Sequence, residues 1–128
     1  MSPFLLKWLE TKPLSKRLKD AQTVQKKYAD RIPIVVGPAR ESSPTITAHK
    51  YLVPNDLTMG QFLQMLRLRI HIKPEQALFV FITDIDGIHP DVLVSVSDIV
   101  SHIYAKYKNG SDGFLYMVYD VENTFGGE

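Results

Sequence analysis

Cysteine is absent from the 128 residues. That single absence excludes a disulfide framework, a thiolate-held zinc or iron–sulfur centre and a thiol nucleophile, and it permits a reducing compartment. An excess of either charge is also missing. Fifteen Lys and Arg oppose fourteen Asp and Glu, for a net charge of +1, so no global field draws the chain to nucleic acid, which is not an expected partner. No apolar run approaches the roughly 18 residues of a membrane span, and Met1 to Leu9 is too short and too soon broken by charge for a secretory signal. Membrane contact is expected only as peripheral or covalently acquired. The four histidines, His49, His71, His89 and His102, show no metal-ligand spacing, the serines lack a Gly-x-Ser-x-Gly elbow and no Gly-rich phosphate loop appears. Asp84 with Asp86 and Gly87 echoes a calcium loop but lacks its later ligands, so a hairpin turn is expected there. The expectation is a protein that is not an enzyme, with no cofactor and no metal site.

What is present reads as one domain, long enough to bury its own core. Ser2 and Pro3 can open a short amphipathic helix carrying Phe4, Leu5, Trp8 and Leu9, ended by Pro13. A second helix follows, with Leu14, Leu18, Ala21, Val24 and Tyr28 on one stripe and a basic outer face. Arg31 to Val36 is a β-branched strand stopped by Gly37-Pro38, paired as a hairpin with a strand ending at Tyr51-Leu52-Val53-Pro54. Thr58 and Gln61 have capping-box spacing before a helix that turns Met59, Phe62, Leu63, Leu66 and Ile70 inward. Leu78 to Ile82 is apolar enough for a strand covered on both faces, placed at the sheet centre. Ser97 caps a further helix closed by Asn109-Gly110, and Phe114 to Val121 is the last strand. The order suits an α+β fold, a ubiquitin-like β-grasp with two additional N-terminal helices. It divides into a helical extension (1–28), a β-grasp core (29–121) and a flexible C-terminal tail (122–128).

Several stretches carry a family resemblance: Lys26 to Pro33, Lys50 to Phe62, Arg69 to Ile72, Ala77 to Phe79 and Glu122 to Gly126. In these the chain resembles the autophagy-related ubiquitin-like modifiers, the family of GABA-receptor-associated protein and microtubule-associated light chain. The match covers nearly everything from Tyr28 to Phe81 and resumes from Phe114 to Gly126, leaving the first helix and Ile85 to Asp112 as the divergent parts.

The resemblance implies a precursor trimmed by a cysteine protease and passed through activating and conjugating enzymes to the amine of phosphatidylethanolamine, which becomes its covalent lipid. Phe125, Gly126 and Gly127 are the conjugation and cleavage residues, with the cut after Gly126 or after Gly127. It further implies docking of receptors and adaptors bearing an aromatic-x-x-aliphatic motif, by strand addition to the edge formed by the Arg31 to Val36 strand. The aromatic pocket would be lined by Asp20, Val24, Pro33, Ile34, Lys50, Leu52 and Phe114. The aliphatic pocket would be lined by Tyr51, Val53, Pro54, Leu57, Phe62, Met65 and Leu66. Arg31, Lys50 and Arg69 would meet acidic residues flanking the motif. The basic face of the second helix is either a solvated surface or a contact for tubulin, anionic lipid or the conjugation enzymes. The protein is then expected in the cytoplasm and, once lipidated, on autophagosomal or vesicle membranes. Two other readings stand beside this one: a non-conjugated adaptor in vesicle or microtubule traffic, and a tag joined to another protein.

Overall fold

The computed structural model describes residues 1–123. Helix α1 (Pro3–Thr11) begins as its first residues dictate: the Ser2 hydroxyl accepts the Leu5 amide at 3.1 Å, and Pro3 occupies a position that needs no donor. Pro13 separates it from α2 (Leu14–Lys27), whose last turn carries Lys26 and Lys27 against the helix dipole. Strand β1 (Arg31–Pro38) then pairs antiparallel with β2 (Lys50–Pro54). Gly37 and Pro38, expected to stop β1, instead lie inside it. The reason is contact with α1: a Cβ on Gly37 would sit 1.9 Å from Cδ2 of Phe4, so the glycine admits a phenyl ring to the strand surface.

Helix α3 (Met59–Arg67) opens with the full reciprocal capping box between Thr58 and Gln61. Strands β3 (Gln76–Ile82), β4 (Val92–Leu93) and β5 (Leu115–Asn123) complete a five-stranded mixed sheet of order β2-β1-β5-β3-β4. The last strand thus runs two residues past Val121 and takes in Glu122 and Asn123, paired with Ala77 and Gln76. The sheet centre is β5, not Leu78 to Ile82: β5 is flanked by β1 in parallel and β3 in antiparallel register, whereas β3 has only the two-residue β4 on its other side. Partial exposure along β3 follows, with only Val80 and Ile82 buried.

Helix α4 (Val100–Tyr107) starts two residues later than a Ser97 cap would place it. Ser95 to Asp98 forms a turn of its own, and its Asp98 and Val96 carbonyls accept the first amides of α3, from Met59 and Gly60. The left-handed backbone after α4 lies at Gly113 (φ +84°) rather than at Gly110. Asn109 builds the intervening turn, its side-chain oxygen accepting the Ser111 and Asp112 amides.

Strand alternation sorts the core into two layers. Ile32, Ile34 and Val36 of β1 join Leu115, Met117 and Tyr119 of β5 beneath Phe62 and Leu66 of α3 and Ile103 of α4. Val35, Tyr116 and Val118 face the opposite way, under Leu5 of α1 and Ala21 of α2. The sheet is covered on both faces, by α3 and α4 on one and by α1 and α2 on the other.

Candidate functional site

Because β5 fills the centre, β1 has partners on both sides, and an incoming strand cannot add to Arg31 to Val36 as expected. The free edge on the β1 side of the sheet is β2, with the two-residue β4 at the opposite edge. Its exposed backbone groups follow from one residue. Pro33 stands opposite Leu52 and has no amide proton, so that pair is the non-hydrogen-bonded kind and the Leu52 N–H and C=O point outward. Alternation turns the Lys50 groups outward as well. Two bonds fit this phase: the Val36 amide donates to the His49 carbonyl at 2.8 Å, and the Asn55 amide donates to Asp30 at 3.0 Å. Arg31 Nη1 reaches the outward Leu52 carbonyl at 3.4 Å.

The same registers distribute the side chains. Leu52 opposite Pro33, and Phe114 one step before the Leu115 partner of Ile34, form a row across the face covered by α2. Above this row α2 supplies Asp20 and Val24, both half-buried. Asp20 Oδ2 meets Lys50 Nζ at 3.6 Å, tying the helix to the edge strand. Six of the seven residues expected in the aromatic pocket therefore share one side of the sheet. Ile34 does not: it is fully buried in the α3 layer, because its neighbour Pro33 takes the α2 side.

Tyr51 and Val53 face α3. The Tyr51 ring meets Phe62 edge-on, centroids 6.0 Å apart, and its hydroxyl donates to the Ala48 carbonyl at 2.7 Å. Burial raises the Tyr51 pKa, and the charge of Arg69 opposes that shift. Tyr51, Leu57 and Met65 are partly open, whereas Val53, Phe62 and Leu66 are closed core. Those three lie closed beneath Tyr51, Leu57 and Met65 and offer no accessible wall. Pro54 is exposed at the strand end opposite Arg31, so alternation puts it on the α2 side. Arg31, Lys50 and Arg69 are all exposed around the edge.

The braces behind the aromatic row were not legible in the sequence. The Tyr104 hydroxyl donates to the Gly113 carbonyl at 2.7 Å and accepts from Gln25 Nε2 at 2.5 Å. Asp112 is fully buried, and its carboxylate takes the Phe114 amide, Arg17 Nε at 2.9 Å and the Tyr116 hydroxyl. The Gln25–Tyr104 and Arg17–Asp112 contacts join residues 79 and 95 positions apart, which no local signal announces.

A second concavity, about 480 Å³, lies at the far end of the sheet between residues 82–92 and the end of α4. Its floor is apolar, with Ile82, Ile85 and Tyr107, and its charges cancel between Asp84, Asp86, Lys106 and Lys108. The Asp84 carboxylate accepts the amides of Asp86, Ile88 and His89 and the His89 ring, the turn chemistry expected in place of a calcium loop. The Asp86 amide is the largest cause holding its pKa below the usual carboxylate range. Among the described residues no helix is long and apolar enough to cross a membrane. Phe125, Gly126 and Gly127 lie outside the described residues.

A family model described as "Autophagy protein Atg8 ubiquitin like" matches residues 16–126. The chain belongs to the Atg8 family of ubiquitin-like autophagy proteins. It is 47% identical to Autophagy-related protein 8d of Arabidopsis thaliana over 115 residues, 89% of each chain. It is 42% identical over 122 residues to Autophagy-related protein 8 of Colletotrichum lindemuthianum, 94% of each. The crystal structure of Trypanosoma brucei ATG8 superposes with a TM-score of 0.79 at 37% identity, covering 94% of this chain and 97% of that one. The Atg8 match and this neighbour agree with the ubiquitin-like α+β fold and with the autophagy reading of the sequence.

Proposed function

We propose that this Atg8-family protein is a membrane mark that docks receptor peptides at its β2 edge. One observation carries the docking half. In an extended peptide, residues three apart point to opposite sides, because side-chain direction alternates with period two. An aromatic-x-x-aliphatic segment laid along β2 therefore sends its aromatic residue to the α2 side, where Leu52, Pro33 and Phe114 line up, and its aliphatic residue to the α3 side, beside Tyr51, Leu57 and Met65. The outward N–H and C=O groups of Lys50 and Leu52 offer the main-chain pairing.

Two anchors at about 1.5–3 kcal/mol each and hydrogen bonds at about 0.5–1.5 kcal/mol each, less at least ~4 kcal/mol for association, leave micromolar-scale binding. Arg31, Lys50 and Arg69 orient acidic flanks. The membrane half rests on the tail chemistry and on family membership: cleavage by a cysteine protease after Gly126, activation and transfer by conjugating enzymes, and an amide to phosphatidylethanolamine. A two-chain lipid anchors stably where a single chain holds only marginally. The protein thereby moves from the cytoplasm to autophagosomal membranes, with all reaction chemistry supplied by its enzymes.

Mass spectrometry of the C-terminus in starved cells tests the conjugation, with Gly126 carrying phosphatidylethanolamine as the expected species. An intact Glu128 throughout starvation refutes it. Backbone amide NMR tests the docking: a peptide of the stated pattern should move the Lys50 and Leu52 resonances first, and shifts confined to the β3–β4 side refute it.

A further inference from the structure

We propose that Tyr104 is a positioning residue that sets the width of the aromatic pocket and so decides which aromatic anchor is preferred; this rests on the docking reading above. Tyr104 stands on α4 and packs against the α3 layer, yet its hydroxyl bridges α2 to the segment just before β5, the two elements that carry the walls of the pocket. It accepts from Gln25 Nε2 at 2.5 Å, and Gln25 directly follows Val24 on the helix that forms the outer wall. It donates to the Gly113 carbonyl at 2.7 Å, and Gly113 directly precedes Phe114 in the inner row. One oxygen thus fixes the distance between walls that belong to different elements. Burial raises the Tyr104 pKa further above its ordinary value.

The residue that supplies the carbonyl has the left-handed backbone that favours glycine, with φ +84° at Gly113. Phe114 is only 5% exposed and cannot retreat from its place in the row.

A second brace holds the other end of the same wall. Arg17 Nε meets Asp112 Oδ2 at 2.9 Å, and Asp112 Oδ1 accepts the Phe114 amide at 2.8 Å. Arg17 and Gln25 are eight residues apart, about 12 Å along the helix, and Asp20 and Val24 lie between them. The outer wall is therefore clamped on both sides of the pocket. A gap held at both ends discriminates by size, since a close-packed wall that cannot yield penalises the wrong volume. Removing the Tyr104 hydroxyl leaves the Arg17–Asp112 brace and releases only the Val24 end. The wall then adapts to either anchor, while the aliphatic site on the α3 face keeps its shape.

Tyr104→Phe in the full chain tests this, with fluorescence anisotropy against four peptides that pair Trp or Phe at the aromatic position with Ile or Val at the aliphatic one. The wild type should distinguish Trp from Phe, and Tyr104→Phe should compress that affinity ratio by about 3-fold or more, while the Ile/Val ratio stays within about 1.5-fold, differences well under one decade in Kd. Gln25→Leu, which leaves the Tyr104–Gly113 bond in place, should compress the Trp/Phe ratio in the same direction. A uniform loss across all four peptides would show a merely structural role and overturn the proposal. So would an unchanged Trp/Phe ratio in both variants, or a wild type indifferent to the two anchors. If the wild type binds none of the peptides at β2, the docking reading itself fails, whereas docking with an insensitive ratio removes only Tyr104's role.

Discussion

Placing proline at position 52 separates the backbone contribution of the β2 edge from its side chains. Leu52 faces Pro33 in a non-hydrogen-bonded pair, so its N–H is directed at solvent and contributes nothing to the β1–β2 ladder. Leu52→Pro therefore deletes a donor that only an incoming strand would use, and proline is tolerated at an edge position of this kind. Leu52→Ala is the reference that removes the side chain alone. Losing its apolar contact with the aromatic anchor, at about 0.8 kcal/mol per methylene-sized group, weakens peptide binding by up to about 2 kcal/mol, some 30-fold. Leu52→Pro should add one lost hydrogen bond, about 0.5–1.5 kcal/mol, or roughly another 2- to 13-fold.

Isothermal titration gives the affinities, and urea unfolding gives the stabilities, in which the two variants should agree within about 1 kcal/mol. Tyr51→Pro is the opposite control. Tyr51 lies in a hydrogen-bonded pair with Ile34, so proline there removes a ladder donor and leaves an inward carbonyl unpaired, at about 1–3 kcal/mol, besides losing the ring contact with Phe62. Equal peptide affinity for Leu52→Pro and Leu52→Ala would refute strand addition at this position. Unfolding by Leu52→Pro comparable to Tyr51→Pro would refute the register argument itself.

Other consequences are equally direct. Asp112→Ala strands Arg17, whose side chain is 12% exposed, and should cost about 3–5 kcal/mol in urea unfolding; a loss under 1 kcal/mol would show that the pair is not needed. Gly37→Ala drives a methyl group into the Phe4 ring and should detach α1, read from the single Trp8 fluorophore. Adding Phe4→Ala should recover stability with a coupling of about 0.5–3 kcal/mol, and strict additivity would contradict the contact. Alkaline pH should destabilise the fold. Burial is the largest cause raising the Tyr116 and Tyr119 pKa values above the ordinary 10, the latter to about 12. Below pH 10 folded and unfolded chains hold these protons alike; above it only the unfolded chain releases them, so stability falls by about 1.4 kcal/mol per pH unit per tyrosine. Tyr119→Phe should remove one such increment between pH 10 and 12, and an unchanged slope would refute its assignment.

The elements legible in the sequence were those with local causes. Ser2 with Pro3, and Thr58 with Gln61, start their helices where their hydroxyls say, because a cap involves residues three apart. Strand alternation in β1 and β5 likewise identifies the core residues. What could not be read was set by partners far along the chain. The apolar run Leu78 to Ile82 has the composition of a central strand, yet composition does not reveal that β5 takes that place by pairing with β1 in parallel. For the same reason Arg31 to Val36 was expected at an edge although β1 lies between β2 and β5, and Ile34 was grouped with the α2-side residues although register turns it into the α3 layer. Ser97 looked like a cap, but its turn is used to receive the amides of α3. Gly37 looked like a stop signal because nothing local announces that Phe4 will press against it.

Pro33 links fold and docking through one missing proton. Suppose β2 slipped by one residue, so that Tyr51 rather than Leu52 stood opposite Pro33. Tyr51 would then turn its backbone outward and its ring toward α2, losing the edge contact with Phe62, while Leu52 would enter the α3 layer and the aromatic row would lose its outer member. Alternatively, keep the side chains in place and invert only the hydrogen-bond phase. Leu52 would then present its N–H to a residue that can accept through its carbonyl but cannot donate in return, leaving one ladder bond unmade inside the sheet. Both alternatives fail on stability before any receptor is considered. The register that survives is also the one that exposes the Lys50 and Leu52 backbone at the edge, with the Leu52 side chain on the α2 face and the Tyr51 side chain on the α3 face. A peptide motif with an odd spacing is the one such an edge can read, because an even spacing such as aromatic-x-aliphatic sends both anchors to the same face. Inserting or deleting one residue between the anchors of a bound peptide should therefore abolish binding to below a tenth of its affinity, a loss of about 1.4 kcal/mol or more, whereas removing the whole outer flank should reduce it only modestly. Retention of full affinity by the shifted peptide would mean that the anchors do not read the two faces of this sheet.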